Sequence, residues 1–271
     1  MPLAYYSRSA TTEFWTEHWG GHTVDELLRI ARESPLTELI ERHLPAAGRL
    51  LEAGCGLGQY VLLFRERGRA AVGADWSQEA LRAGAGLGAP LAAMDLRALA
   101  VVTGGIAAYL SLGVVEHDPD GPDAILREAA RVVPFGGALL LSVPYWNGVR
   151  RLATPYLRRQ ARRTREAGGQ FYQYAFTRRE LGRRLADHGF AVASFHPYDP
   201  GRVLRKALRR QRGGPRPPAT VPPPGATARV ADASASPTAR SPLRVAARAL
   251  LYSEPSLRLF GHMLLAVAVR R

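Results

Sequence analysis

Apolar positions along this chain follow two rhythms. Short, nearly continuous apolar runs recur at Leu50-Leu51, Ala70–Ala74, Pro90–Leu96, Ile106–Leu112 and Gly137–Val143. Their length and apolar character read as short strands. Between them apolar residues return every three or four positions, the spacing of one helix face, as in Asp123–Val133. Thr177–His188 is a further helix, its start marked by Thr177 and Glu180 as a capping box. Phe190–Phe195 alternates like a strand, and His262–Val269 is a last apolar run. Strands interleaved with helices predict an α/β fold.

The flanks differ from this pattern. Residues 11–43 read as helical, with Trp15, Trp19, Leu27, Leu28 and Ile30 supplying apolar surface, so residues 1–44 are expected to form an N-terminal helical lid. Residues 45–200 hold the core, with a basic insertion at 148–174. There Val149, Leu152, Ala153 and Leu157 lie at helical spacing among six arginines, with Pro155 set to kink or divide the helix. Gln170–Tyr174 is unusually aromatic. Residues 201–260 combine a second basic amphipathic stretch, Arg202–Arg212, with a Pro/Ala/Ser/Gly-rich segment at 213–242 that reads as a disordered linker. Leu243–Phe260 is helical in character, interrupted at Pro255, and 261–271 is expected to be a final core strand.

The most specific chemistry lies after the first strand. Glu52 ends the run, and Gly54, Gly56 and Gly58 follow at every second position before helix-like sequence begins. Glycine there permits a tight turn and lets a ligand approach bare main chain. A dinucleotide site wants G-x-G-x-x-G, but Gln59 stands where its third glycine belongs. The pattern E-x-G-C-G-x-G instead resembles motif I of the class I S-adenosylmethionine (SAM)-dependent methyltransferases.

That resemblance implies a Rossmann-like seven-stranded sheet with helices on both faces and an antiparallel last strand between its fifth and sixth strands. It implies SAM as cofactor, held by Glu52, the three glycines and Asp75 at the tip of the second strand, where a carboxylate can accept both ribose hydroxyls. Trp76 would lie against the adenine, and Asp95, with Leu96 beside it, would meet the adenine amino group. Ser111–His117 resembles the segment after the family's fourth strand, where the backbone near Leu112 borders the methionine part. Relatives usually carry Asp where this chain has Ala107. Some place Glu at Gly113 to complete a metal site, so no metal is expected here.

Composition narrows the setting. The 271 residues suffice for one α/β domain with appendages. Cys55, the only cysteine, excludes an intramolecular disulfide and suits packing inside the glycine turn. No signal peptide and no apolar run long enough to span a membrane is read. Net charge is +14, almost all of it arginine, with the excess after Arg150. The basic stretches could face solvent or rest on an anionic membrane. The expected location is the cytoplasm, peripheral on the membrane's inner face in the second case.

Methylation of an oxygen needs a proton acceptor. His117 is the candidate base and Glu116 its orienting or substrate-binding neighbour, with His196 and His262 in reserve. Tyr145, Trp146 and Asn147 follow the fifth strand at the sheet's carboxyl edge and are the candidate substrate residues. The Asn/Asp-Pro-Pro-aromatic signature of base-amine methylation is missing after the fourth strand. The reading is therefore O-methylation of a small or lipid-linked acceptor, such as a quinone precursor, sugar or lipid intermediate. The alternatives are an RNA methyltransferase, a non-catalytic SAM-binding protein and a nicotinamide-dependent oxidoreductase.

Overall fold

The computed structural model describes residues 2–7, 21–201 and 249–271. The chain enters through strand β1 (Leu3–Ser7) and, further on, helices α1 (Val24–Arg32) and α2 (Pro35–Glu41). Then β2 (Leu50–Ala53), α3 (Gln59–Glu66), β3 (Ala71–Asp75), α4 (Gln78–Ala85), β4 (Leu91–Ala93) and β5 (Ala108–Leu112) alternate. A 3-10 turn at Val115–His117 leads to α5 (Asp123–Val132) and β6 (Ala138–Pro144). The insertion forms α6 (Gly148–Leu152), α7 (Thr154–Glu166) and β7 (Gln170–Ala175). Helix α8 (Arg178–Asp187), β8 (Phe190–Tyr198), α9 (Glu254–Phe260) and β9 (Met263–Arg270) complete the fold.

Seven strands make one sheet in the order β4-β3-β2-β5-β6-β9-β8. The pairs among β4, β3, β2, β5 and β6 are parallel, and β9 runs antiparallel between β6 and β8. Successive residues of the central strands serve opposite faces. Leu51, Leu139 and Leu141 pack with Ile125, Leu126, Leu181 and Leu185 on the side of α5 and α8. Leu50, Leu110 and Leu140 pack with Leu28, Ile40, Phe64 and Leu81 on the side of α1 to α4. Both faces being covered is why these strands read as unbroken apolar runs.

Local signals act where the sequence places them. Ser77 caps α4 by accepting from the Ala80 amide, and Thr177 and Glu180 form the reciprocal cap of α8. Pro155 divides rather than kinks: α6 ends at Leu152, and Pro155 occupies the first turn of α7.

The N-terminal segment departs from the helical expectation. Helices α1 and α2 occupy its second half, but Leu3–Ser7 is a strand, paired antiparallel with β7. The aromatic stretch at 170–174 is that partner strand. Trp15, Trp19, Arg202–Arg212 and the 213–242 segment lie outside the described residues. The β1–β7 ribbon joins the main sheet through a bridge between Tyr145 and Phe176, so it sits beside the carboxyl end of β6.

Candidate active site at the carboxyl rim of the sheet

The glycine turn runs from the end of β2 into α3. Gly54, Gly56 and Gly58 all have positive φ, at +80°, +54° and +76°. Gly54 is also crowded: a Cβ there would lie 2.4 Å from Cγ2 of Val114. The turn is cross-tied to β3, because the Asp75 carboxylate accepts the Gly56 amide at 2.8 Å and the Ser77 amide at 3.0 Å. Asp75 thus braces the turn while Ser77 caps the helix. Each carboxylate oxygen takes one amide there and keeps lone-pair capacity for a further donor. Burial raises the Asp75 pKa, and the Ser77 and Gly56 amides oppose that rise.

Glu52 lies buried at the end of β2, and its Oε2 has no hydrogen-bond partner among the described residues. Burial, then the charge of Asp75, push its pKa well above the usual carboxylate range, and the Val61 amide in the first turn of α3 opposes this. An uncompensated buried acid beside a second acid calls for a positively charged or donor-rich partner. Gln59, which the sequence pattern did not single out, is also buried with Oε1 unpartnered.

Around the turn, Trp76 stands 57 % exposed over a shallow concavity of about 320 Å³ with Ser77, Gln78, Glu79 and Arg82. Leu96 and Leu112 are buried. Asp95 is exposed and clamped by Arg97, whose Nε and Nη2 reach its two oxygens at 3.0 and 2.9 Å, and this pairing lowers its pKa. Cys55 is buried within the turn, as packing requires.

The 3-10 turn after β5 brings Glu116 and His117 to the same rim. The His117 Nδ1 lies 2.7 Å from the Tyr172 carbonyl oxygen on β7. A carbonyl only accepts, so Nδ1 carries the proton and Nε2 is the basic nitrogen of the neutral ring. The edge of the Tyr172 ring is set against the imidazole, centroids 5.3 Å apart. Glu116 Oε1 lies 3.9 Å from His117 Nε2. Glu116 is buried, Oε2 has no partner among the described residues, and burial lifts its pKa to about 8. Burial thus favours its neutral form over the carboxylate. The insertion, by way of β7, fixes the orientation of the candidate base, which spacing alone could not show.

The loop after β6 is engaged in the fold. Asn147 Oδ1 caps α6 by accepting the Arg150 amide, and Nδ2 donates to the Gly261 carbonyl at 2.7 Å. The Trp146 indole donates to Thr154 Oγ1, and the Tyr145 and Trp146 amides reach the carbonyls of His262 and Phe176. Arg150 donates to the Tyr145 and His262 carbonyls and lies close to His262 Nδ1. Neither reserve histidine joins His117: His196 lies near Ser194 and His43, and His262 near Arg150. Ser142 on β6 and Tyr198 on β8 share a hydroxyl–hydroxyl contact of 2.5 Å across the intervening β9, and burial raises the Tyr198 pKa. Among the described residues no group of three or more His, Cys, Asp or Glu could hold a metal ion.

A family model described as a methyltransferase domain matches residues 27–194. No curated protein matches the chain in sequence. Among solved structures, the chain resembles geranyl diphosphate C-methyltransferase from Streptomyces coelicolor at 16% identity and TM-score 0.56, covering 100% of this chain and 90% of that one. It also resembles a SAM-dependent methyltransferase from Archaeoglobus fulgidus at 14% identity and TM-score 0.55, covering 96% and 100%. The [4+2]-cyclase SpnF is similar at 18% identity and TM-score 0.51, covering 87% and 79%. At such identities the likeness is one of fold.

Proposed function

The chain belongs to the SAM-dependent class I methyltransferases, and from that premise we propose that it methylates an oxygen of a small or lipid-linked acceptor. The rim suits SAM. The glycine turn offers a nucleoside main chain without side chains, and Glu52 offers a buried carboxyl, whose Oε2 has no partner among the described residues, to a ligand bearing positive charge. Asp75 has acceptor capacity left for ribose hydroxyls. SAM, when bound, supplies a methyl group already electrophilic on its sulfonium. What remains for the protein is to hold the acceptor in line and take its proton.

The observation that carries the oxygen reading is the bond from His117 to the Tyr172 carbonyl. It turns Nε2 into the proton acceptor, and a hydroxyl acceptor would lose its proton there as the new C–O bond forms. Burial holds the pKa of Glu116 up to about 8, which favours its neutral form and makes it a weaker competitor for that role. Its ionised form, 3.9 Å away, would stabilise the imidazolium.

The fold neighbours include a C-methyltransferase and a cyclase, so fold alone does not choose the atom methylated. The test is transfer of label from radiolabelled SAM to fractionated small-molecule, lipid and RNA pools. His117→Ala should lower kcat by roughly 100-fold or more while SAM affinity holds. Lost SAM affinity with unchanged chemistry would remove His117 from this role, and label appearing only in RNA would replace the acceptor class.

A further inference from the structure

One surface next to this rim has no part in the chemistry above. Helix α6 follows directly from the Tyr145–Asn147 loop, and α9 lies against its start: a Cβ on Gly148 would meet Leu259, and Asn147 bonds Gly261. These helices and the first turn of α7 turn large apolar groups to solvent. Leu152 is 84 % exposed, Tyr156 63 %, Leu259 45 % and Phe260 38 %. Single exposed apolar residues need no explanation, whereas four on adjoining elements mark a contact surface.

The charge around them is one-sided. Residues 148–166 hold seven arginines, and Glu166 is the only acid. Four of the arginines are engaged. Arg150 donates to main chain, Arg158 and Arg165 lie over the rings of Trp146 and Tyr6, and Arg162 approaches Glu166 at 3.5 Å. Arg151, Arg159 and Arg163 are exposed, and no acidic partner is present for them among the described residues. Arg159 and Arg163 follow Tyr156 at i+3 and i+7, so the three share one face of α7.

Building on the methyltransferase reading of the rim, we propose that α6, α7 and α9 form a docking face for an anionic lipid bilayer, placing the mouth of the site where an amphiphilic acceptor resides. The apolar groups would enter the boundary between headgroups and acyl chains while the arginines meet lipid phosphates. An RNA surface would use rings that stack on bases. Tyr156 and Phe260 could stack, but Leu152, the most exposed of the four, and Leu259 cannot, and against a phosphate backbone both would stay wet.

The test is co-sedimentation of the full chain with phosphatidylcholine vesicles, with and without phosphatidylglycerol. Binding is expected only to the anionic vesicles and should weaken as salt rises. Leu152→Ser with Leu259→Ser, and separately Arg159→Glu with Arg163→Glu, should each lower partitioning at least about fivefold with the thermal midpoint unchanged. Equal binding to neutral vesicles, no vesicle binding, or variants that partition like the parent would overturn the proposal. So would RNA retention lost in the arginine variant without any vesicle binding, or a dimer that buries these leucines instead. SAM titration of the same samples separates the two claims: vesicle binding without SAM binding would remove the enzymatic reading and leave the docking face.

Discussion

Asp75 grips the amide of Gly56 at 2.8 Å, so the tip of β3 sets the shape of the turn after β2. One carboxylate thereby links cofactor geometry to local stability. Asp75→Ala leaves buried amides without their acceptor and should cost about 1–3 kcal/mol in urea unfolding. Asp75→Asn keeps an acceptor but loses the charge. One of the two amides would then face its NH2 donor, so it should fall between Asp75→Ala and the parent in stability and bind SAM at least about tenfold more weakly by calorimetry.

Gly54 and Val114 form a second coupled pair. Gly54→Ala meets both a left-handed φ of +80° and the 2.4 Å approach to Val114. The backbone part of that cost is about 1–2 kcal/mol. Adding Val114→Ala should relieve the clash and leave the backbone part, so the double variant should be more stable than Gly54→Ala alone. A thermal-unfolding series over the four proteins checks this, and strict additivity would count against it.

Glu116 predicts how stability varies with pH. Its pKa rises from 4.5 to about 8 on folding, so between those values the folded state holds a proton that the unfolded state has released. Stability from this group is present in full below pH 4.5 and is lost as pH rises towards 8, by at most about 5 kcal/mol. Glu116→Gln should flatten that part of the curve. Urea midpoints taken across this range in both proteins are the measurement.

Leu140 tests the sheet itself. It is fully buried on the interior strand β6, packed on the side of α1 to α4. Leu140→Ala should cost about 2–5 kcal/mol in denaturant unfolding, with the range set by how far the site collapses.

The strands were legible because burial on both faces writes apolar runs directly into sequence, and the caps at Ser77 and Thr177 because each needs only a local pattern. The glycine turn was legible for the same reason. Partnerships between distant segments were not. Nothing local in Leu3–Ser7 announces pairing with Gln170–Ala175, 163 or more positions along, and the orientation of His117 depends on that ribbon. Nor does sequence reveal that Arg97 occupies Asp95, or that Asn147 is engaged at both ends of its amide. The β1–β7 pairing and the bond from Asn147 to Gly261 are facts of tertiary packing, whereas the Arg97 clamp is local but depends on a side-chain conformation that the sequence does not state.

The central claim is that the rim around Glu52, Asp75 and the glycine turn receives SAM. Calorimetric titration of the purified chain with SAM, its demethylated product and NAD, side by side, tests it most directly. Saturable one-to-one binding of the first two and none of NAD is the predicted result, weakened by Asp75→Asn. Heat from NAD alone, or no binding of SAM or its product at millimolar concentration, would contradict it.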